Sequence, residues 1–209
     1  MKRGRVARRN PRDRRAFVVA CASVAGILVC ASLLVWLASS GMDARRSGDT
    51  IGGPFSLTDD RGNPVSERSF PGKYLVVYFG YTTCPDICPA TLTTLTASLD
   101  RLGRKADRVQ PLFVTIDPAH DTPAVLHHYV GAFSGRLVGL SGSDVEVAKI
   151  ADEYKVVRAV HNSPEPHKPT GFDHSAVLYL MAPDGRFVAP IQADASEMVM
   201  AEVIGRYVL

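Results

Sequence analysis

Cysteine is scarce in this chain, with four in 209 residues. That is too few for the disulfide framework of a small secreted scaffold. There is no internal repeat and no low-complexity tract, which excludes solenoids and collagen-like rods. Apolar residues at 46% and charged residues at 22% exclude a disordered polymer. A basic surplus is also missing from most of the chain. Residues 1–15 hold eight Lys or Arg against Asp13, and 16–39 hold no charge. Residues 40–209 therefore carry 16 basic and 20 acidic side chains. A mildly acidic body excludes nucleic acid as the main partner, because phosphate binding needs a basic face.

The charge-free stretch is an apolar run, AFVVACASVAGILVCASLLVWLA, at 16–38. As a helix it spans roughly 35 Å, enough for a hydrocarbon core of about 30 Å. Trp36 falls near its far end, where aromatic rings favour the interface. The run exceeds the apolar region of a signal peptide and reads as an uncleaved single-pass anchor. A cleaved signal is the alternative, and Arg14-Arg15-Ala16-Phe17-Val18 weakly resembles a twin-arginine export signal. Val29 before Cys30 argues against lipidation there, and Cys21 and Cys30 read as apolar fillers. The basic segment 1–15 is expected to stay in the cytoplasm. That places the chain in the cytoplasmic (inner) membrane with its carboxyl-terminal body on the extracytoplasmic side.

A polar, glycine-bearing linker (39–51) leads into a body at 52–209. The body begins with a small hairpin around Asp59-Asp60-Arg61-Gly62. Tyr74–Phe79 is a continuous apolar run suited to a strand buried on both faces. A helix is predicted from about Asp86 to Leu102, with Leu92, Leu95, Leu99 and Leu102 on one face. A second buried strand follows at Leu112–Ile116, then a helix opened by Thr122 as N-cap and Pro123, running to about Phe133. A strand near Arg136–Leu140 precedes a helix from Ser143 to near Tyr154, and Val156–Val160 reads as extended. Three prolines in 161–173 predict no regular structure there. Ser175–Met181 and Arg186–Ile191 form a hairpin across Ala182–Gly185, and Ala195–Tyr207 closes the chain as a helix. Alternating strands and helices that end in an antiparallel hairpin predict an α/β thioredoxin-like fold: a central mixed sheet flanked by helices.

The thiols of the body are Cys84 and Cys88, in Gly80-Tyr81-Thr82-Thr83-Cys84-Pro85-Asp86-Ile87-Cys88-Pro89. They follow a buried strand and open a helix. Sites in α/β sheets form at the carboxyl ends of strands, and helix N-terminal amides ease the loss of a thiol proton. A spacing of four puts two side chains on one helix face. Paired thiolates can oxidise to a disulfide or clamp a soft metal ion. A four-residue loop is too short for a purely structural bridge, and the third intervening residue departs from the usual dithiol exchanger.

Two thiolates alone suit Cu(I), whereas a site for both copper states wants an imidazole as well. His127 and His128 sit mid-helix, His120 in the loop after the second buried strand, and His161 and His167 in the proline-rich loop. His174 stands immediately before the hairpin strand. On a thioredoxin-like fold the loop entering that hairpin packs against the dithiol helix, so His174 would project toward both sulfurs. A core or surface histidine is the plainer alternative.

The sequence resembles the Sco/SenC family of membrane-anchored copper-binding proteins, through GYTTCPDICPATL at 80–92, TIDPAHDTP at 115–123 and DHSAVLYLMAPDGRF at 173–187. The resemblance implies that Cys84, Cys88 and His174 bind copper, as Cu(I), Cu(II) or both. It implies a metallochaperone that helps assemble the dinuclear copper centre of cytochrome c oxidase. The expected partner is the oxidase's copper-bearing subunit or another copper carrier. Where the family leads one to expect arginine this chain has His120, so a local salt bridge is expected to be missing. The rival is a membrane-anchored thiol–disulfide oxidoreductase acting through Cys84 and Cys88, which has no use for His174. A peroxidase would need an arginine that the cysteine motif lacks.

Overall fold

The computed structural model describes residues 51–157 and 176–208, the backbone of strands at 159–161 and 171–173, and the single residue Ser32. Apart from Ser32, the apolar run at 16–38 lies outside the described residues, among which no helix is long and apolar enough to cross a membrane. Thr50–Leu209 forms one compact unit.

The opening hairpin pairs β1 (Ser56–Asp59) with β2 (Pro64–Ser66) antiparallel. Its turn is shaped by Asp59, whose Oδ1 accepts from the Arg61 and Asn63 amides, and by Gly62 at φ +87°. The central strand β3 (Tyr74–Gly80) is buried from Leu75 onward. Burial of consecutive residues means that both faces are covered, since side chains alternate across a strand. It pairs in parallel with β4 (Val109–Thr115), and β4 pairs in parallel with β5 (Val138–Ser141). On its other side β3 meets β8 (Val177–Met181), which turns through Ala182–Gly185 into β9 (Phe187–Gln192), both pairings antiparallel. The sheet order is β2-β1-β5-β4-β3-β8-β9, a mixed sheet as expected from the alternation of elements.

Helix α1 (Ile87–Leu102) connects β3 to β4, and α2 (Pro123–Gly131) connects β4 to β5. Two right-handed crossovers stepping the same way along a sheet put both helices on one face. The ring contacts agree. Tyr78 and Phe113, opposite one another in register, lie 6.1 Å apart, and Phe113 meets Tyr129 of α2 at 5.4 Å. The opposite face holds Phe79, Tyr179 and Tyr154, the last of which follows α3 (Asp144–Glu153). The closing helix α4 (Glu197–Tyr207) packs on α1, with Thr91 and Ser98 hydroxyls donating to the Ala193 and Glu197 carbonyls.

Caps set the helix starts. Thr122 accepts from the Val125 amide ahead of Pro123, and Ser143 and Glu146 form a reciprocal box at α3. Helix α2 stops two residues short of the expected Phe133. Helix α3 ends at Glu153, beside the expected Tyr154, but the way it closes is not legible in the sequence. Lys155 takes a left-handed φ of +57°, while its amide and that of Val156 reach back to the Asp152 and Ala151 carbonyls. This closure favours glycine, because a side chain in the left-handed region costs about 1–2 kcal/mol. Lys155→Gly should therefore raise stability by about 0.5–1 kcal/mol after the extra entropy of an unfolded glycine. A shifted urea midpoint at constant slope would show it, and an unchanged midpoint would refute it.

One expectation is corrected. Residues 161–173 are not wholly irregular: β6 (Ala159–His161) pairs antiparallel with β7 (Gly171–Asp173). Backbone hydrogen bonding between the two ends of the loop outweighs the prolines, which lie between the strands. Val156 and Val157, expected as extended, precede this ladder.

Candidate metal centre

The parallel register of β3 and β4 sets Gly80 beside Thr115 and aligns the carboxyl ends of the two strands. The loops that leave them therefore emerge side by side. The first carries Cys84 on a turn closed by its amide bonding to the Tyr81 carbonyl. Cys88 is the second residue of α1. The pair is thus brought together by a turn and a helix start, not by one helical face as the spacing suggested. Cys84 is nearly buried and Cys88 fully so, and both are free thiols.

Several groups close in on the Cys88 sulfur, the Tyr81 backbone among them. A hydrogen bond joins it to the Cys84 side chain. The Tyr78 hydroxyl, rising from β3 below, reaches it at 3.7 Å. Gly80 supplies the floor: a Cβ there would lie 2.8 Å from Cys88 Sγ and 2.7 Å from Phe113 Cε2. Sequence reasoning missed Tyr78 and Gly80 as parts of the site. The signal available was a glycine standing between the buried strand and the cysteine motif.

The electrostatics also differ from expectation. The helix start was expected to ease ionisation, yet the hydrogen bond with Cys84 and then burial push the Cys88 thiol well up. Burial likewise raises the Tyr78 and Tyr129 hydroxyls, with the neighbouring cysteines adding to the effect. The thiol protons must leave before a cation can take both sulfurs, so loading should release protons.

Of the other expected residues, His120 is an exposed loop residue whose Nδ1 lies 2.9 Å from Asp117 Oδ2. This pairing raises its pKa. His120 thus pairs locally with Asp117, as an ion pair when its imidazole is protonated. His127 rests on Asp60 at 2.6 Å and His128 is exposed. His174 lies outside the described residues. Among the described residues no group of three His, Cys, Asp or Glu could hold a metal. The two thiols are soft donors that suit a soft cation, with any third ligand coming from elsewhere in the chain.

This geometry defines a class: an α/β protein with a paired-thiol centre at the carboxyl end of its central strand. The chain belongs to the SCO1/SenC family, whose family model matches residues 43–209. It is 38% identical over 161 residues to Protein sco1 of Schizosaccharomyces pombe, covering 76% of this chain and spanning 61% of that relative's length. The structure of Bradyrhizobium japonicum ScoI with copper bound matches at a TM-score of 0.68 and 39% identity, covering 75% of this chain and 99% of the other. Yeast Sco1 with copper bound matches at 0.69 and 38% identity, covering 77% and 89%. The thioredoxin-like architecture and the family resemblance read from the motifs both hold.

Proposed function

We propose that this chain is a copper metallochaperone, in which Cys84, Cys88 and His174 hold copper for delivery to the dinuclear centre of cytochrome c oxidase. The observation that carries the reading is the hydrogen-bonded thiol pair at the mouth of β3, seated on Gly80 and touched by Tyr78. Similarity to two copper-bound structures over three quarters of the chain supports it. Cu(I) takes the two thiolates, and neutral His174 completes three-coordination and extends the site to Cu(II). Cys84 keeps slight exposure while Cys88 has none, so a partner's thiolate meets Cys84 first and Cys88 releases last. Anchoring through 16–38 in the inner membrane raises the local concentration near a membrane-bound acceptor such as the oxidase's copper-bearing subunit.

The same hydrogen-bonded pair favours a second reading, a thiol–disulfide oxidoreductase in which Cys84 attacks and Cys88 resolves. His174→Ala separates the two. The copper reading expects metal affinity to fall at least about 10- to 100-fold, since groups that merely orient a ligand are worth that much. Dithiol exchange should stay near the wild-type rate. Unchanged metal affinity with dithiol exchange intact would favour the oxidoreductase, which has no use for His174.

A further inference from the structure

Asp121 is fully buried, and nothing in the copper reading uses it. It lies in the loop after β4 and is not the cap of α2, a duty that belongs to Thr122. Its carboxyl faces the other loop. Asp121 Oδ2 accepts from the Thr82 amide at 3.0 Å and from the Thr115 hydroxyl at 2.6 Å, while Oδ1 takes the Thr82 hydroxyl at 2.5 Å. The Thr115 hydroxyl accepts in turn from the Asp117 amide at 2.9 Å, and the Ser141 hydroxyl donates to the Asp121 carbonyl at 2.9 Å. The carboxyl thus ties the end of β4 to the start of the cysteine loop, and the backbone carbonyl of the same residue holds the end of β5. All of its side-chain donors among the described residues are uncharged.

Burying a carboxyl without a cationic partner is costly unless its oxygens are well satisfied. Here both oxygens are used, and two of the three donors belong to Thr82, two residues before Cys84. The investment is aimed at the cysteine loop. The turn of that loop is closed by the Cys84 amide on the Tyr81 carbonyl. Its far end is fixed by α1, where Cys88 is immobilised by packing. Asp121 therefore governs the position of one sulfur relative to the other.

We propose that Asp121, acting through Thr82, is a positioning residue that holds the Cys84 sulfur in register with Cys88 for joint metal binding. Without this tie the turn at 81–84 loses its registration on β4, and Cys84 wanders while Cys88 stays. A ligand displaced by about 1 Å binds poorly, even though the protein remains folded.

The metal arm of the test rests on the copper reading above, and the thiol arm does not. Full-length protein is compared with Thr82→Val, Thr82→Ser and Asp121→Asn. The probes are copper affinity by competition with a chelator, the sulfur-to-copper absorption of the Cu(II) form, and the rate at which the reduced protein reacts with a small aromatic disulfide. Thr82→Val keeps shape and loses the hydroxyl, so affinity should fall about tenfold, the absorption should shift, and the thiol rate should change by a similar factor. Thr82→Ser restores the hydroxyl and should restore all three to within about twofold. Asp121→Asn should reproduce Thr82→Val more strongly. If Asp121→Asn does not fold, the two Thr82 variants decide alone. Wild-type affinity, spectrum and thiol rate in Thr82→Val would overturn the proposal, as would Thr82→Ser behaving like Thr82→Val. If the wild-type protein binds no copper, the copper reading fails, and the thiol rates alone then confirm or refute the positioning role.

Discussion

Gly80→Ala is expected to lose about 3 kcal/mol of stability, at the upper end of what one extra methyl costs in a packed core. The backbone is not the reason, because Gly80 lies outside the set of glycines with positive φ. The reason is space. The added carbon would fall 2.7 Å from Phe113 Cε2 and 2.8 Å from Cys88 Sγ, closer than such atoms approach in folded proteins. Neither neighbour can yield easily. Phe113 is fully buried between the rings of Tyr78 and Tyr129, and Cys88 is fully buried at the start of α1. Relief must come from lifting α1 off the strand, which separates the Cys88 sulfur from Tyr78 and Cys84. Chemical denaturation should show the loss, together with faster reaction of Cys88 toward alkylating reagents. A loss below about 0.5 kcal/mol, the range of an ordinary surface change, would contradict this view of the floor.

The second large effect falls on function. Cys88→Ser should abolish high-affinity copper binding, with a fall of more than about a hundredfold, because groups that only orient a ligand are already worth about 10- to 100-fold. Serine preserves the shape of the side chain but replaces a soft sulfur with a hard oxygen that Cu(I) does not favour. Burial matters as well. The site offers no solvent route to a substitute ligand at Cys88, whose exposure is 0%. Stability should change little by comparison, since the serine hydroxyl can take over the contact with the Tyr78 hydroxyl. Isothermal competition for Cu(I) measures the first effect, and a urea midpoint measures the second. Retained affinity in a folded Cys88→Ser protein would remove Cys88 from the ligand set.

The central architecture was legible because its signals are local. The apolar run at Tyr74–Phe79, the leucine spacing along α1 and the Thr122-Pro123 start each follow from residue pattern alone. The Lys155 closure was hidden because the residue type argues against the conformation it adopts. The β6–β7 ladder was hidden because its strands are three residues long and separated by a proline-rich stretch. At the site, Cys84 and Cys88 announced themselves by type and spacing. Gly80, Tyr78 and Asp121 did not, because their roles depend on which atoms the parallel register of β3 and β4 brings together. Asp117 and Asp121 look alike in the sequence. Only the fold distinguishes the one paired with an exposed histidine from the one buried on the cysteine loop.

Copper-edge X-ray absorption of the reduced, copper-loaded protein tests the central claim most directly, because it reads the ligand atoms themselves. Two sulfurs and one imidazole nitrogen per copper, with one sulfur lost in Cys88→Ser and the nitrogen lost in His174→Ala, is the result expected. A first coordination sphere made of nitrogen and oxygen alone, unaffected by either change, would contradict the account.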